Sequence, residues 1–281
     1  MQEAIHFIFS ELGDVYPETE LRSFSFLILE KITGFSRTEI LVNKNNKISD
    51  KQRETIATIV DKLKNKEPLQ YVLGETEFYG LKFAVDASVL IPRPETEELV
   101  EWIHSDFNGK KELKLLDIGT GSGCIAIALS HLHPDWVTDA FDISESALSI
   151  ARNNNLSNGT SVRFSKVDIL TADKMDMKWD IIVSNPPYIP LNEKEEMDAN
   201  VVEHEPHTAL FVPNDRPLLF YEAIARFAQC HLSAGGRLYV EIHRDFGKQC
   251  VSFFEQSGFR NIVLKKDLLD NDRMICGENG G

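Results

Sequence analysis

Asn185-Pro186-Pro187-Tyr188 brings together residue types that suit one kind of chemistry. Consecutive prolines fix φ, remove two N–H donors and restrict the residue before each of them. The stretch is therefore stiff and extended, with a carboxamide at Asn185, free backbone carbonyls and a flat ring at Tyr188. Such a site accepts hydrogen bonds from a planar NH2 group and packs against its plane. The same tetrapeptide also makes an ordinary proline-rich exit from a strand, and its neighbours decide between the two readings.

The first neighbour is Asp117-Ile118-Gly119-Thr120-Gly121-Ser122-Gly123, a glycine-rich turn between an apolar run and an Ala/Ile-rich helix. Absent side chains let the backbone of Gly119, Thr120, Gly121, Ser122 and Gly123 approach a ligand, and N–H groups at the helix start can meet a carboxylate. Asp142 follows Gly119 by 23 positions, at the end of the next apolar run. It is placed like the acid that grips a ribose hydroxyl pair in nucleotide-binding sheets. NAD and S-adenosylmethionine both carry the adenosine that these features hold. The G-x-G-x-G spacing departs from the G-x-G-x-x-G of dinucleotide sites and tilts towards S-adenosylmethionine. Asp168, followed by Ile169, ends a third apolar run and suits either the adenine amino group or an exposed turn. His131 with His133, and His204 with His207, are spaced for a metal, but each pair lacks a third convergent ligand. No metal is expected.

Strands and helices must carry these groups to one place. Leu113–Asp117, Asp135–Phe141, Val162–Val167, Trp179–Ser184 and Arg237–Ile242 read as strands. Cys124–Leu132, Glu145–Leu156, Pro217–His231 and Phe246–Gln256 read as helices, with Gly235-Gly236 as a turn. Phe259–Leu264 and Arg273–Cys276 complete a mostly parallel α/β sheet, and Glu278–Gly281 reads as a frayed tail. Ligands in such sheets sit at the carboxyl ends of strands where strand order reverses, which places the first and fourth strands side by side. Asp173–Asp180 reads as a solvated loop and Glu193–Asp198 as an exposed acidic helix or lid.

Ahead of the sheet, residues 1–75 read as all-helical: Glu3–Leu12, a helix capped by Thr19 and stopped at Gly34, a short one after Ser36, and one from Ser49 through Leu63. Phe7, Phe9, Phe24, Phe26 and Phe35 are more aromatics than a small bundle needs, which favours a substrate-recognition role. Residues 76–94 read as a hairpin turning at Gly80 and a proline-held linker, with Glu95 or Thr96 opening a helix. Residues 95–281 form the catalytic domain.

The 281 residues are 42% hydrophobic and 26% charged, as in an ordinary folded protein. No run approaches a membrane span, and Met1–Ser10 lacks the basic-then-apolar pattern of an export signal. Cys124, Cys230, Cys250 and Cys276 have no C-x-x-C spacing and suit reduced thiols in the cytoplasm. Net charge is −14, and residues 1–75 carry ten basic and twelve acidic side chains, so −12 lies beyond them. That balance disfavours a phosphate backbone as partner. A monomer is expected.

The chain resembles the class I S-adenosylmethionine-dependent methyltransferases with an [N/D/S]-P-P-[Y/F] motif. It is most similar to the HemK-type peptide chain release factor N5-glutamine methyltransferases. The stretches that carry this are Glu67–Gly74, Glu77–Phe83, Leu90–Glu97, Asp117–Gly123, Asn185–Ile189, Glu205–Leu210, Gly235–Ile242 and Asp272-Arg273. Ile91-Pro92-Arg93-Pro94-Glu95-Thr96-Glu97 is the most specific of them. The resemblance implies a Rossmann-like sheet with its last strand antiparallel, a helical N-terminal domain and a linking hairpin. It implies that Gly119–Gly123, Asp142, Asp168 and Ile169 hold S-adenosylmethionine together with Asn185. It also implies that Asn185–Tyr188 holds the glutamine of the Gly-Gly-Gln loop of class I release factors. Two departures are Ile169, where many relatives have an aromatic, and Asn214-Asp215-Arg216-Pro217 in place of a glycine-containing turn. The competing readings are an amino-methyltransferase acting on adenine or guanine of DNA or RNA, and a nicotinamide oxidoreductase that would leave Asn185–Tyr188 unexplained.

Overall fold

The computed structural model describes residues 1–172 and 175–280 and divides into two compact units. One comprises Met1–Glu75 with Asp198–His204, the other Thr76–Met197 with Glu205–Gly281. The return of Asp198–His204 to the helical unit has no signature in its sequence.

The helical unit is built from α1 (Gln2–Leu12), α2 (Glu18–Thr33), α3 (Arg37–Val42), α4 (Asp50–Lys64) and α5 (Leu69–Leu73). Ser36 with Glu39 and Ser49 with Gln52 form full capping boxes, each satisfying otherwise unpaired N–H groups at a helix start. Thr19 does not cap α2. Pro17, extended at φ −68° and ψ 152°, takes that position, so the helix begins one residue before Thr19. Gly34 closes α2 in the left-handed region, as expected. The core is aliphatic, with Ile8, Leu12, Ile28, Leu29 and Leu63 fully buried. Phe9, Phe24 and Phe26 pack at its margin, while Phe7 and Phe35 are exposed.

After α5 come β1 (Glu75–Phe78) and β2 (Leu81–Ala84), a hairpin whose two loop residues, Tyr79 and Gly80, both have positive φ. Positive φ at both positions matches the right-handed twist of the strands. Helix α6 (Pro94–Asp106) starts earlier than Glu95 or Thr96, because Pro94 sits in the first turn, where its missing N–H costs nothing.

From there strands and helices alternate: β3 (Lys114–Ile118), α7 (Cys124–Leu132), β4 (Val137–Asp142), α8 (Glu145–Ser157), β5 (Arg163–Lys166) and β6 (Trp179–Ser184). Beyond β6 come the short β7 (Ile189–Pro190), a 3-10 turn at Leu191–Glu196, α9 (Ala199–His204), α10 (His207–Leu210) and β8 (Phe211–Val212). The chain ends through α11 (Leu219–His231), β9 (Leu232–Glu241), α12 (Gly247–Gln256), β10 (Phe259–Lys266) and β11 (Asp272–Asn279).

Seven strands form one sheet in the order β10-β11-β9-β6-β3-β4-β5. The last strand, β11, runs antiparallel to both its neighbours, and the remaining pairs are parallel. Successive side chains feed opposite faces: Ile181 and Val183 enter one core with α6 and α7, and Ile182 enters the other with α11 and α12. Burial on both faces explains the unbroken apolar runs in the sequence.

Two expectations change here. Gly235-Gly236 does not end a turn before a strand. It lies inside the ten-residue β9 as an irregularity in its pairing with β6, with Gly235 at φ 73°. The terminal residues Glu278 and Asn279 are not frayed but pair with Arg260 and Phe259 of β10. The solvated loop at Asp173–Asp180 begins outside the described residues.

Candidate active site

Strand β3 lies between β4 and β6, with β4 and β5 extending to one side and β6 and β9 to the other. The chain therefore leaves β3 and β6 side by side at their carboxyl ends, and a crevice opens there. Gly119 (φ 73°) and Gly121 (φ 56°) adopt backbone conformations that other residues resist. A Cβ built on either meets no atom within 4 Å, and both residues line the crevice, so a side chain there would occupy ligand space.

The turn is held from beneath. The Gly119 and Thr120 N–H groups donate to the Phe141 carbonyl, and the Thr120 hydroxyl donates to Asp117 Oδ2 at 2.6 Å. Gly121 N–H donates to Asp142 Oδ2 and Ser144 N–H to Asp142 Oδ1, both at 2.8 Å. Asp142 lines the crevice, and its carboxylate keeps lone pairs for a further donor. Burial raises its pKa, and the amides of Ser144, Gly121 and Ile143 pull it back.

The cavity holds about 380 Å³. Gly119, Gly121, Asp142, Asp168, Ile169, Asn185, Pro186 and Pro187 all line it, together with Leu90 and Val89 from the linker. The remaining turn residues stand behind the wall. Thr120 and Ser122 are buried, and Gly123 (φ 85°) has no room for a Cβ, which would lie 2.8 Å from Ile127 Cδ1 and 3.2 Å from Ala151 Cβ. Gly123 thus lets α7 and α8 pack closely.

Asn185 Nδ2 donates to Thr96 Oγ1 at 3.1 Å, and its Oδ1 takes no hydrogen bond from the described residues. Tyr188 does not reach the cavity wall as expected of a ring packed on a substrate plane. Its hydroxyl donates to Glu241 Oε1 at 3.1 Å and its ring meets His243 edge-on at 6.0 Å, so it braces the loop from behind. Glu193 sits in a 3-10 turn rather than an exposed helix, with His243 Nε2 3.0 Å from its Oε2. β7 pairs with β8 and pins the chain just after Tyr188.

Thr96, Glu241, Glu205 and Arg273 were not read as site residues. Glu241 is 1% exposed at the end of β9, directly after the buried Leu238, Tyr239 and Val240. An acid in that position demands partners. Thr96 donates to its Oε2 at 2.7 Å, and the Arg273 charge lowers a pKa that burial raises. Among the described residues no group of His, Cys, Asp and Glu is arranged for a metal. His133 instead stacks on Trp136, with ring centroids 3.7 Å apart.

An open glycine cradle, an acid able to hold a diol, and an apolar strip at Val167 and Ile169 for a flat base suit the adenosyl and methionyl parts of S-adenosylmethionine. Sheet order and site together define a class I S-adenosylmethionine-dependent methyltransferase.

Family models agree with that class: residues 95–207 match the Methyltransferase small domain and residues 3–74 the PrmC N-terminal domain. The chain is 44% identical to the release factor glutamine methyltransferase of Flavobacterium psychrophilum, over 94% of each chain. It is 42% identical to that of Bacteroides thetaiotaomicron, over 98% of this chain and 99% of the other. A solved structure of a human methyltransferase 10 domain containing protein superposes with a TM-score of 0.52 at 18% identity, covering 72% of this chain and 91% of that one, and shows the shared fold. The chain belongs to the release factor glutamine methyltransferase family.

Proposed function

We propose that the protein transfers a methyl group to the side-chain amide nitrogen of the glutamine in the Gly-Gly-Gln loop of class I peptide chain release factors. The observation that carries this is one cavity shared by the glycine turn and Asn185-Pro186-Pro187. An acceptor for a planar NH2 thereby stands beside the site for the methyl donor.

When bound, S-adenosylmethionine supplies an electrophilic methyl on a sulfonium sulfur. Gly119, Gly121, Asp142, Asp168 and Ile169 would hold it. Asn185 Oδ1 and the Pro186 carbonyl would accept the two N–H bonds of the glutamine amide and hold its nitrogen in the cavity. Pro187 stiffens the path and Tyr188 braces it.

An amide nitrogen is a poor nucleophile, and no side chain in the cavity deprotonates it at neutral pH. Orientation is the main contribution, and well-aligned reactants lower a barrier by about 7–11 kcal/mol. As positive charge develops on nitrogen both accepted hydrogen bonds strengthen, so they favour the transition state over the ground state. The proton leaves to water after transfer.

In this reading residues 1–75 recognise the release factor, residues 76–94 link, and residues 95–281 catalyse. The two exposed phenylalanines, Phe7 and Phe35, and the near-neutral charge of that region support the assignment. The protein acts as a monomer in the cytoplasm, where release factors work, and makes no direct contact with nucleic acid. The net charge of −14 and four free cysteines are in keeping with this.

The test is mass spectrometry of unmethylated release factor incubated with the protein and S-adenosylmethionine. One methyl on the loop glutamine is the expected result. Methylation of adenine or guanine in DNA or RNA with an untouched release factor would overturn it.

A further inference from the structure

We propose that Thr96 and Glu241 are positioning residues that decide which way round the Asn185 carboxamide stands, so that its oxygen and not its NH2 group is offered to the substrate. The inference rests on the glutamine-amide reading above, because only an NH2-bearing substrate needs an acceptor there.

A carboxamide has two nearly isosteric ends, one donating and one accepting. Turned the wrong way, Asn185 would point its NH2 at the NH2 of the substrate. Hydrogen-bond direction removes that ambiguity here. The Glu241 carboxylate, 1% exposed, accepts the single hydroxyl proton of Thr96, 2% exposed, at 2.7 Å. With its proton committed, Thr96 Oγ1 faces Asn185 as an acceptor, so the end of Asn185 lying 3.1 Å from it must be the NH2. Oδ1 is then the free end. Glu241 Oε1 accepts the Tyr188 hydroxyl in the same way, so one buried acid orients both ends of the tetrapeptide.

A helix-capping role does not account for Thr96. It stands in the first turn of α6, and its hydroxyl leaves the helix for a strand 145 positions away. Nor is Glu241 placed for stability alone. A buried carboxylate is costly unless paired, and two hydroxyls with the Arg273 charge offset that cost at the spot where polarity must be fixed.

The test compares Thr96→Val, which keeps the shape and removes the hydroxyl, with Thr96→Ser, which keeps the hydroxyl. Turnover on release factor is measured per S-adenosylmethionine-binding site, counted by calorimetry. In Thr96→Val, kcat is expected to fall about 10- to 100-fold, as for loss of a transition-state acceptor, with KM for S-adenosylmethionine changing less than about twofold. Thr96→Ser restores kcat to within about threefold. Nitrogen–proton correlation spectra give an independent readout: the Asn185 side-chain amide protons shift and exchange faster in Thr96→Val and return in Thr96→Ser.

Wild-type kcat in Thr96→Val, a Thr96→Ser variant as slow as Thr96→Val, or Asn185 amide signals unmoved by Thr96→Val would each overturn the proposal. If Thr96→Val does not fold, Thr96→Ala makes the same comparison. Failure of the wild-type protein to methylate release factor would sink the substrate reading instead, and the Asn185 spectra would still decide the orientation.

Discussion

Arg93 and Glu205 are joined by an ion pair of 2.5 Å across 112 positions of sequence, with the Glu205 side chain 1% exposed and that of Arg93 34% exposed. Glu205 also accepts the Ile91 N–H at 3.2 Å. One carboxylate therefore ties the proline-held linker, whose Val89 and Leu90 line the cavity, to the segment leading into α10. Removing it leaves a buried N–H and a half-buried guanidinium unpaired. Glu205→Ala should lower the unfolding free energy by about 2–3 kcal/mol, discounted for the exposure of Arg93. Glu205→Gln, which still accepts a hydrogen bond, should lose less. Urea midpoints at neutral pH measure both.

Two glycines of one turn should fail in different ways when changed to alanine. Gly121→Ala places its Cβ where no atom lies within 4 Å, on the cavity wall. It should cost about 1 kcal/mol of stability from its positive φ and weaken S-adenosylmethionine binding at least about tenfold. Gly123→Ala drives a Cβ to 2.8 Å from Ile127 and 3.2 Å from Ala151. Overpacking adds to the backbone strain, so its stability loss should reach about 2–4 kcal/mol. Thermal unfolding and calorimetric titration, run on both variants, separate the two effects. Equal losses in both assays would show that the turn acts as one undivided unit.

These glycines also show how far local pattern reaches. The glycine turn, the helix starts at Ser36 and Ser49, and the hairpin turning at Gly80 were legible because their physics lies within a few residues. The sheet followed from doubly buried runs that alternate with helices. Legibility ended where a partner is distant or context overrides propensity. Nothing near Thr96 announces Glu241, and Thr19 loses the cap position to Pro17. Gly235-Gly236 looks like a turn until pairing with β6 absorbs it. Tyr188 was read as a substrate-facing ring, yet its hydroxyl is claimed by a strand that contributes no other polar side chain at that end. Gly119, Gly121, Asp142 and Asn185-Pro186-Pro187, which line the cavity, stand out by type and spacing, whereas Thr96 and Glu241, which hold Asn185 and Tyr188, do not.

Asp142 lines the cavity while its two oxygens hold the Gly121 and Ser144 amides, and in the reading proposed above it also holds the ribose hydroxyls. Asp142→Ala should therefore raise the dissociation constant for S-adenosylmethionine about 30- to 100-fold, close to the loss of one hydrogen bond to a charged group. Asp142→Asn keeps one acceptor and should fall between that variant and the wild type. Calorimetric titration reads both. Unaltered affinity in Asp142→Ala would remove this residue from the ligand site.

Asp117 makes stability depend on pH. Burial pushes its pKa up to about 7, with the charge of Asp142 adding to the rise. The Thr120 hydroxyl and the Ala126 amide at the head of α7 oppose it. An unfolded aspartate titrates near about 4. Between about pH 4 and 7 the unfolded chain has released this proton while the folded chain keeps it. The native state binds more protons there, so stability falls as pH rises and levels off above about 7. Between pH of about 5 and about 7.5 the unfolding free energy should drop by about 2–3 kcal/mol through this group. Asp117→Asn, which cannot ionise, should lack that part of the drop and gain on the wild type at the higher pH. Urea unfolding of both proteins at the two pH values gives the comparison, and parallel curves would mean that Asp117 is already ionised in the fold at the lower pH.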